Sequence, residues 1–196
     1  RHCTYSLAKF ARQIAVMHRL EMTNVRASRV SEPQLRVAMI CTGNICRSPM
    51  AEVVMRHLVA SDPSLIGRVA VTSAGTANWH VGRPMDPRAR RSLDRAGIRI
   101  EGSLAAFADS GYLDGHDLVV VMTREHFHEV RQRLTNRSTE ILIIRNLLEP
   151  GLDLDVADPY YGSDGDFDDC LDVLTRTLQR LTLEIRRRLG ADSCEA

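Results

Sequence analysis

Short apolar runs alternate along this chain with longer stretches in which apolar residues recur every three or four positions. The runs are Val37–Ile40, Arg68–Ser73, Leu118–Met122 and Glu140–Ile144, each with the length of a strand. Helical periods fall between and after them, at Met50–Ala60, Asp86–Ala96, Arg124–Leu134 and Asp168–Leu189. In the last of these, Leu171, Leu174, Leu178, Leu181 and Ile185 mark an apolar face that belongs to a core. This alternation predicts an α/β fold, a four-stranded parallel sheet with helices on both faces. Right-handed crossovers then place any ligand site at the carboxyl ends of the strands.

The chemistry concentrates where the first strand gives way to the first helix. Residues 41–48 read Cys-Thr-Gly-Asn-Ile-Cys-Arg-Ser, with Pro49 next. Pro49 suits a first helical turn, because the N–H it lacks would be unpaired there anyway. Gly43 and Asn44 tolerate the unusual backbone angles of a tight turn. Amides of such a loop converge at a helix N-terminus, which is an anion site. Cys41 faces the same cradle, so the amides and the helix dipole favour its thiolate. Arg47 can grip two phosphoryl oxygens at once. Ser48 can donate a hydrogen bond to the Cys41 sulfur when it leaves. The pattern marks Cys41 as a nucleophile and Arg47 as a transition-state clamp. A Walker loop is excluded, since its second glycine and its Lys-Ser/Thr ending are missing.

Such a nucleophile needs a proton donor for the leaving oxygen. Asp158-Pro159-Tyr160-Tyr161-Gly162 lies in a stretch from Glu149 to Gly165 with little regular periodicity. Pro159 keeps Asp158 extended, and Asp158 can then act as acid and later as base. Tyr160 and Tyr161 offer ring faces for an aryl phosphate.

With these residues in view, the chain resembles the low-molecular-weight protein tyrosine phosphatases, in particular their actinobacterial-type members. The likeness is carried by Val37-Ala-Met-Ile-Cys-Thr-Gly-Asn-Ile-Cys-Arg-Ser-Pro-Met-Ala-Glu52, by Thr72-Ser-Ala-Gly-Thr-Ala-Asn-Trp-His-Val-Gly82 and by Asp158-Pro-Tyr-Tyr-Gly162. It implies that Cys41 is the nucleophile, Arg47 the phosphate-binding arginine and Asp158 the general acid. Thr42, Gly43, Asn44, Ile45, Cys46 and Ser48 complete the phosphate loop. Asn44 would brace that loop through a network that includes Ser73. Trp79 and Tyr160 would wall the substrate crevice, with Tyr161 beside them. Cys46 would trap an oxidised Cys41 as a reversible disulfide.

Two departures stand out. The family usually has a histidine a few residues after the turn that here is Gly97-Ile98, and it helps hold the loop asparagine; this chain has Glu101-Gly102-Ser103. Where the family often reads Met-Asp, the chain reads Met122-Thr123, and Thr123 should still cap the following helix.

Composition narrows the class further. A chain of 196 residues with 44% hydrophobic content can bury one sizeable core. No His, Asp or Glu cluster has metal-ligand spacing, so neither metal nor other cofactor is expected. His126 and His128 face different ways on a helix, and the acidic run from Asp164 to Asp172, ahead of the last helix, suits its dipole better than a calcium ion. Five cysteines without paired spacing, with Cys3, Cys170 and Cys194 as ordinary thiols, fit a reducing cytoplasm.

Net charge is +1, yet residues 1–35 carry six Lys/Arg against two acids. We expect 1–35 to be an N-terminal extension, either flexible or a mis-assigned start. The phosphatase domain would then run over 36–190, with a tail at 191–196. No apolar stretch in the extension is long enough for a signal peptide or a membrane span. Phosphotyrosine-containing proteins are the implied partners, rather than nucleic acid or membrane, and a monomer is expected.

Three alternatives share the fold or the loop. Arsenate reductases need two further redox cysteines and dispense with the Asp-Pro acid. Protein-arginine phosphatases typically have threonine where this chain has Ile45. A non-catalytic phosphate-binding module would lack the cysteine, arginine or aspartate, and all three are present.

Overall fold

The computed structural model describes residues 32–98, 103–152 and 154–190. The extension up to residue 31, the tail at 191–196 and the Glu101-Gly102 pair therefore lie outside the described residues. Strands β1 (Leu35–Cys41), β2 (Val69–Gly75), β3 (Leu118–Val121) and β4 (Glu140–Ile143) form one parallel sheet in the order β2-β1-β3-β4.

Strand β1 shows why both faces are covered. Val37, Met39 and Cys41 point into one core with Leu118, Val120 and Met122, while Ala38 and Ile40 point into the other with Val119 and Val121. Residues of alternate parity thus enter opposite layers, as the pleat demands. The first layer holds α1 (Arg47–Ser61), α2 (Pro87–Arg95) and α5 (Asp164–Arg188). The second holds α3 (Ser110–Asp114) and α4 (Arg124–Arg133).

The chain moves from β1 outward to β2 and then crosses back over β1 to β3. The crevice beyond the carboxyl ends of β1 and β3 is therefore the topological switch point, where such sheets bind ligands.

The helices begin where their caps dictate. Asp86 accepts the Arg88 amide at the head of α2, and Thr123 accepts the His126 amide at the head of α4, the capping role expected of Thr123. Helix α5 starts at Asp164, four residues ahead of the periodic stretch at Asp168. Ser163 and Asp166 form a capping box there, so the acidic run lies within the first turns of the helix instead of ahead of it. Periodicity also missed α3 and a 3-10 turn at Ile144–Leu147, both too short to show a repeat. Among the described residues, no helix is long and apolar enough to cross a membrane.

Candidate active site

The loop after β1 is fixed by one unusual residue. Asn44 adopts φ 55, in the left-handed region. The sequence pattern had offered Gly43 for such angles as well, but Gly43 has no positive φ. Its lack of a side chain matters for space instead, because a Cβ there would approach His80 Cδ2 to 2.9 Å. Gly75, at the end of β2, lets the backbone pass closely too: a Cβ would meet the Thr42 carbonyl at 2.5 Å.

Asn44 is held on every side. Its Nδ2 donates to Ser48 Oγ and to Ser73 Oγ, both at 2.8 Å, and its Oδ1 accepts the Ala106 amide at 2.8 Å. Ser73 in turn donates to Glu52 at 2.5 Å, and Ser103 donates to the other oxygen of the same carboxylate at 2.7 Å. Glu52 is buried and pairs with Arg56 at 2.8 Å. The network around the loop asparagine is therefore closed by Glu52 and Ser103, in a chain without the expected histidine. Neither residue was given a role from sequence, although Glu52 ends the first motif and Ser103 lies where the family histidine is missing.

The loop leaves its amides for a ligand. No backbone N–H from Gly43 to Ser48 donates a hydrogen bond to a described residue. These donors surround the N-terminus of α1, where the helix dipole adds positive potential. Cys41 Sγ lies 3.0 Å from Ser48 Oγ, and both are buried.

Arg47 is buried as well, and its Nη1 donates to the Val156 carbonyl at 3.1 Å. Its Nη2 donates to Asp158 Oδ2 at 2.5 Å and reaches Thr42 Oγ1 at 3.4 Å. Its Nε is buried with no hydrogen-bond partner. A buried guanidinium N–H without an acceptor is costly, and a bound oxyanion would satisfy it.

The Asp158 loop is pinned to the end of β3, because the Val156 amide donates to the Met122 carbonyl at 2.9 Å. Asp158 Oδ1 accepts the Tyr160 amide at 3.1 Å, which tightens the Asp-Pro-Tyr turn. Arg88 clamps the far side, donating to the Gly162 carbonyl at 3.1 Å with its guanidinium over the rings of Tyr160 and Phe167.

A cleft of about 280 Å³ joins these parts. Cys41, Thr42, Gly43, Ile45, Cys46, Arg47 and Asp158 line its base, and Trp79, Tyr160 and Tyr161 stand in its walls. Trp79 and Tyr161 are 72% and 95% exposed, so their rings are available to an incoming group. Asn44, Ser48 and Ser73 lie beneath as supports. His80 lines the cleft too, and only its place beside Trp79 in the chain could have signalled it.

The other two described cysteines, Cys46 and Cys170, are buried thiols. Burial, then the charges of Asp86, Cys41 and Asp158, pushes the Cys46 thiol far above its ordinary range. Burial also pushes Cys170 up to about 12. Among the described residues, no group of His, Cys, Asp and Glu could hold a metal ion.

Comparison with known proteins agrees with this geometry. The family profile for low molecular weight phosphotyrosine protein phosphatase matches residues 36–191. A low molecular weight protein-tyrosine-phosphatase of Streptomyces coelicolor is 37% identical, over 79% of this chain and 95% of its own length. Low molecular weight protein-tyrosine phosphatase A of Mycobacterium tuberculosis is 38% identical, over 82% of this chain and 97% of its own. The crystal structure of YfkJ from Bacillus subtilis superposes with a TM-score of 0.73 at 31% identity, covering 81% of this chain and 98% of that one. A strand-end cysteine loop, an arginine with an orphaned buried N–H and a matching profile over most of the chain lead to one assignment: this chain belongs to the low molecular weight protein-tyrosine phosphatase family.

Proposed function

We propose that the protein hydrolyses phosphotyrosine in protein substrates through a cysteinyl-phosphate intermediate, with Cys41, Arg47 and Asp158 as its catalytic residues. The observation that carries this reading is the unpartnered, buried Nε of Arg47 beside unpaired loop amides. Together they offer donors to phosphoryl oxygens in the cleft that Cys41 also lines.

In the first step the Cys41 sulfur attacks phosphorus in line with the phenol oxygen. The S–P bond forms as the P–O bond breaks, and the protonated Asp158 carboxyl gives its proton to the departing phenoxide. Arg47 and the loop amides hold the charge on the equatorial oxygens. The substrate dianion takes the place of the Asp158 carboxylate on Nη2, which frees that carboxyl to face the leaving oxygen. In the second step Asp158 accepts a proton from water as the water attacks phosphorus. The Cys41 thiolate leaves, supported by the Ser48 hydroxyl at 3.0 Å.

Trp79, Tyr160 and Tyr161 form walls for an aromatic ring, and Ile45 keeps the floor apolar. An apolar floor favours a phenyl ring over the cationic guanidinium of phosphoarginine. The catalytic unit comprises residues 36–190 in this proposal, and it acts as a monomer in a reducing compartment. Free Cys41, Cys46 and Cys170 fit that setting.

Phosphotyrosine and phosphoarginine peptides assayed side by side, with chelator present, test the reading for the wild type and Cys41→Ser. Turnover confined to phosphotyrosine and abolished by Cys41→Ser supports it. Preference for phosphoarginine, or activity that survives Cys41→Ser, overturns it.

A further inference from the structure

We infer that His126 is a positioning residue that turns the Thr42 hydroxyl proton toward a bound phosphoryl oxygen, so that Thr42 becomes a further substrate donor. The inference rests on the phosphatase reading above and adds a residue from the opposite helical layer.

The imidazole is 3% exposed and bridges two hydroxyls. Its Nε2 lies 2.9 Å from Thr42 Oγ1, across 84 residues of sequence, and its Nδ1 lies 2.9 Å from Thr123 Oγ1. Thr123 Oγ1 also accepts the backbone amide of His126 at 3.1 Å. Burial, and next the charge of Arg47, lowers the ring to about 4, so it is neutral near pH 7.

A neutral imidazole has one N–H and one lone pair. The Thr123 oxygen already receives the His126 amide, and among the described residues its own proton has only Nδ1 to go to. Nδ1 is therefore the acceptor, and Nε2 carries the hydrogen. That hydrogen is donated to Thr42 Oγ1, which is also approached by Arg47 Nη2 at 3.4 Å. With both lone pairs engaged, the Thr42 proton must point elsewhere, and Thr42 lines the cleft. The opposite tautomer would leave the Thr123 proton without a described acceptor. It would also draw the Thr42 proton back into the ring, away from substrate.

Two measurements on the full chain test this. Long-range proton–nitrogen NMR at pH 7 reads the tautomer without any turnover. Hydrogen on Nε2 of His126 supports the inference, and hydrogen on Nδ1 overturns it. Kinetics with p-nitrophenyl phosphate then compare Thr42→Val, His126→Asn, His126→Gln and the Thr42→Val/His126→Asn pair.

Thr42→Val and His126→Asn should each lose about ten-fold in kcat/KM, the scale of one hydrogen bond to a charged group. The pair should lose no more than Thr42→Val alone. Gln places an amide N–H near the position of Nε2 and should recover most of the loss; Asn reaches only Thr123. Additive losses, or a Gln variant no better than Asn at an unchanged melting temperature, overturn the inference. Should His126→Asn fail to fold, the tautomer decides the part of His126, and Thr42→Val against Thr42→Ser reads the donor, since only Ser keeps the hydroxyl; equal losses in the two overturn the inference. A wild type without turnover overturns the phosphatase reading. Vanadate affinity of the same variants then reads the Thr42 donor by itself, about ten-fold weaker binding supporting it and unchanged binding overturning it.

Discussion

The Asp158 carboxylate rests on the guanidinium of Arg47, Oδ2 to Nη2 at 2.5 Å. In the mechanism proposed above, the free protein thus holds its acid where the substrate is to go. Asp158→Ala should bind inorganic phosphate a few-fold more tightly, because an ion pair with a 42% exposed partner contributes about 1 kcal/mol or less. The same variant should lose about 10²- to 10⁴-fold in kcat on phenyl phosphates with poor leaving groups, and far less on activated ones. Phosphate inhibition constants and a leaving-group series check both halves. Equal losses across the series would count against the acid role.

The buried carboxylate of Glu52 collects Ser73, Ser103 and Arg56 behind the loop. Glu52→Gln keeps the shape but removes the charge and one acceptor. It should lower unfolding free energy by about 1–3 kcal/mol and reduce kcat by loosening Asn44. Urea titration alongside steady-state kinetics measures both, and an unchanged kcat would separate Glu52 from the loop.

His126 makes folding stability depend on pH in a definite direction. Its value is lowered from 6.5 to about 4 in the folded chain, chiefly by burial. Between those values the unfolded chain binds the extra proton, so stability rises with pH there. The contribution is fully present above pH 6.5, is lost as pH falls toward 4, and amounts to about 3 kcal/mol. Urea midpoints at pH 7 and pH 4.5 should therefore differ less in His126→Gln than in the wild type.

Cys46 shares the loop with Cys41, yet its thiol is held far above the ordinary range by burial. Only a thiolate attacks a sulfenic acid efficiently, so capture of an oxidised Cys41 should be slow near neutrality. After peroxide treatment, the activity regained with dithiothreitol should exceed that of Cys46→Ala, and the difference should grow with pH. Equal recovery in the two proteins at every pH would remove the protective role.

The parallel sheet and its layering were legible because β1 and β3 carry continuous apolar runs, and a run buried on both faces implies helices on both sides; the strand order was not. Cys41, Arg47 and Ser48 were legible because their geometry is set within one turn of chain. Asp158 required a second motif, whose meaning came from the first. The roles of Glu52, Ser103 and His126 were not legible, because the partners that define them lie 21, 51 and 84 residues away. Buried polar residues pair through the tertiary fold, and hydrophobic periodicity is blind to that. The start of α5 was misplaced for a related reason, since Ser163 and Asp166 act as a reciprocal pair while the apolar repeat begins only later.

The bond from the Val156 amide to the Met122 carbonyl closes the chain on itself. Between those two residues the chain runs through α4 and the edge strand β4 before it returns to the end of β3, and Asp158 follows just beyond the clasp. The exposed turn near Arg137 joins α4 to β4. It offers a place to open the chain for new termini, or to splice in a reporter module, with the clasp still setting where Asp158 stands.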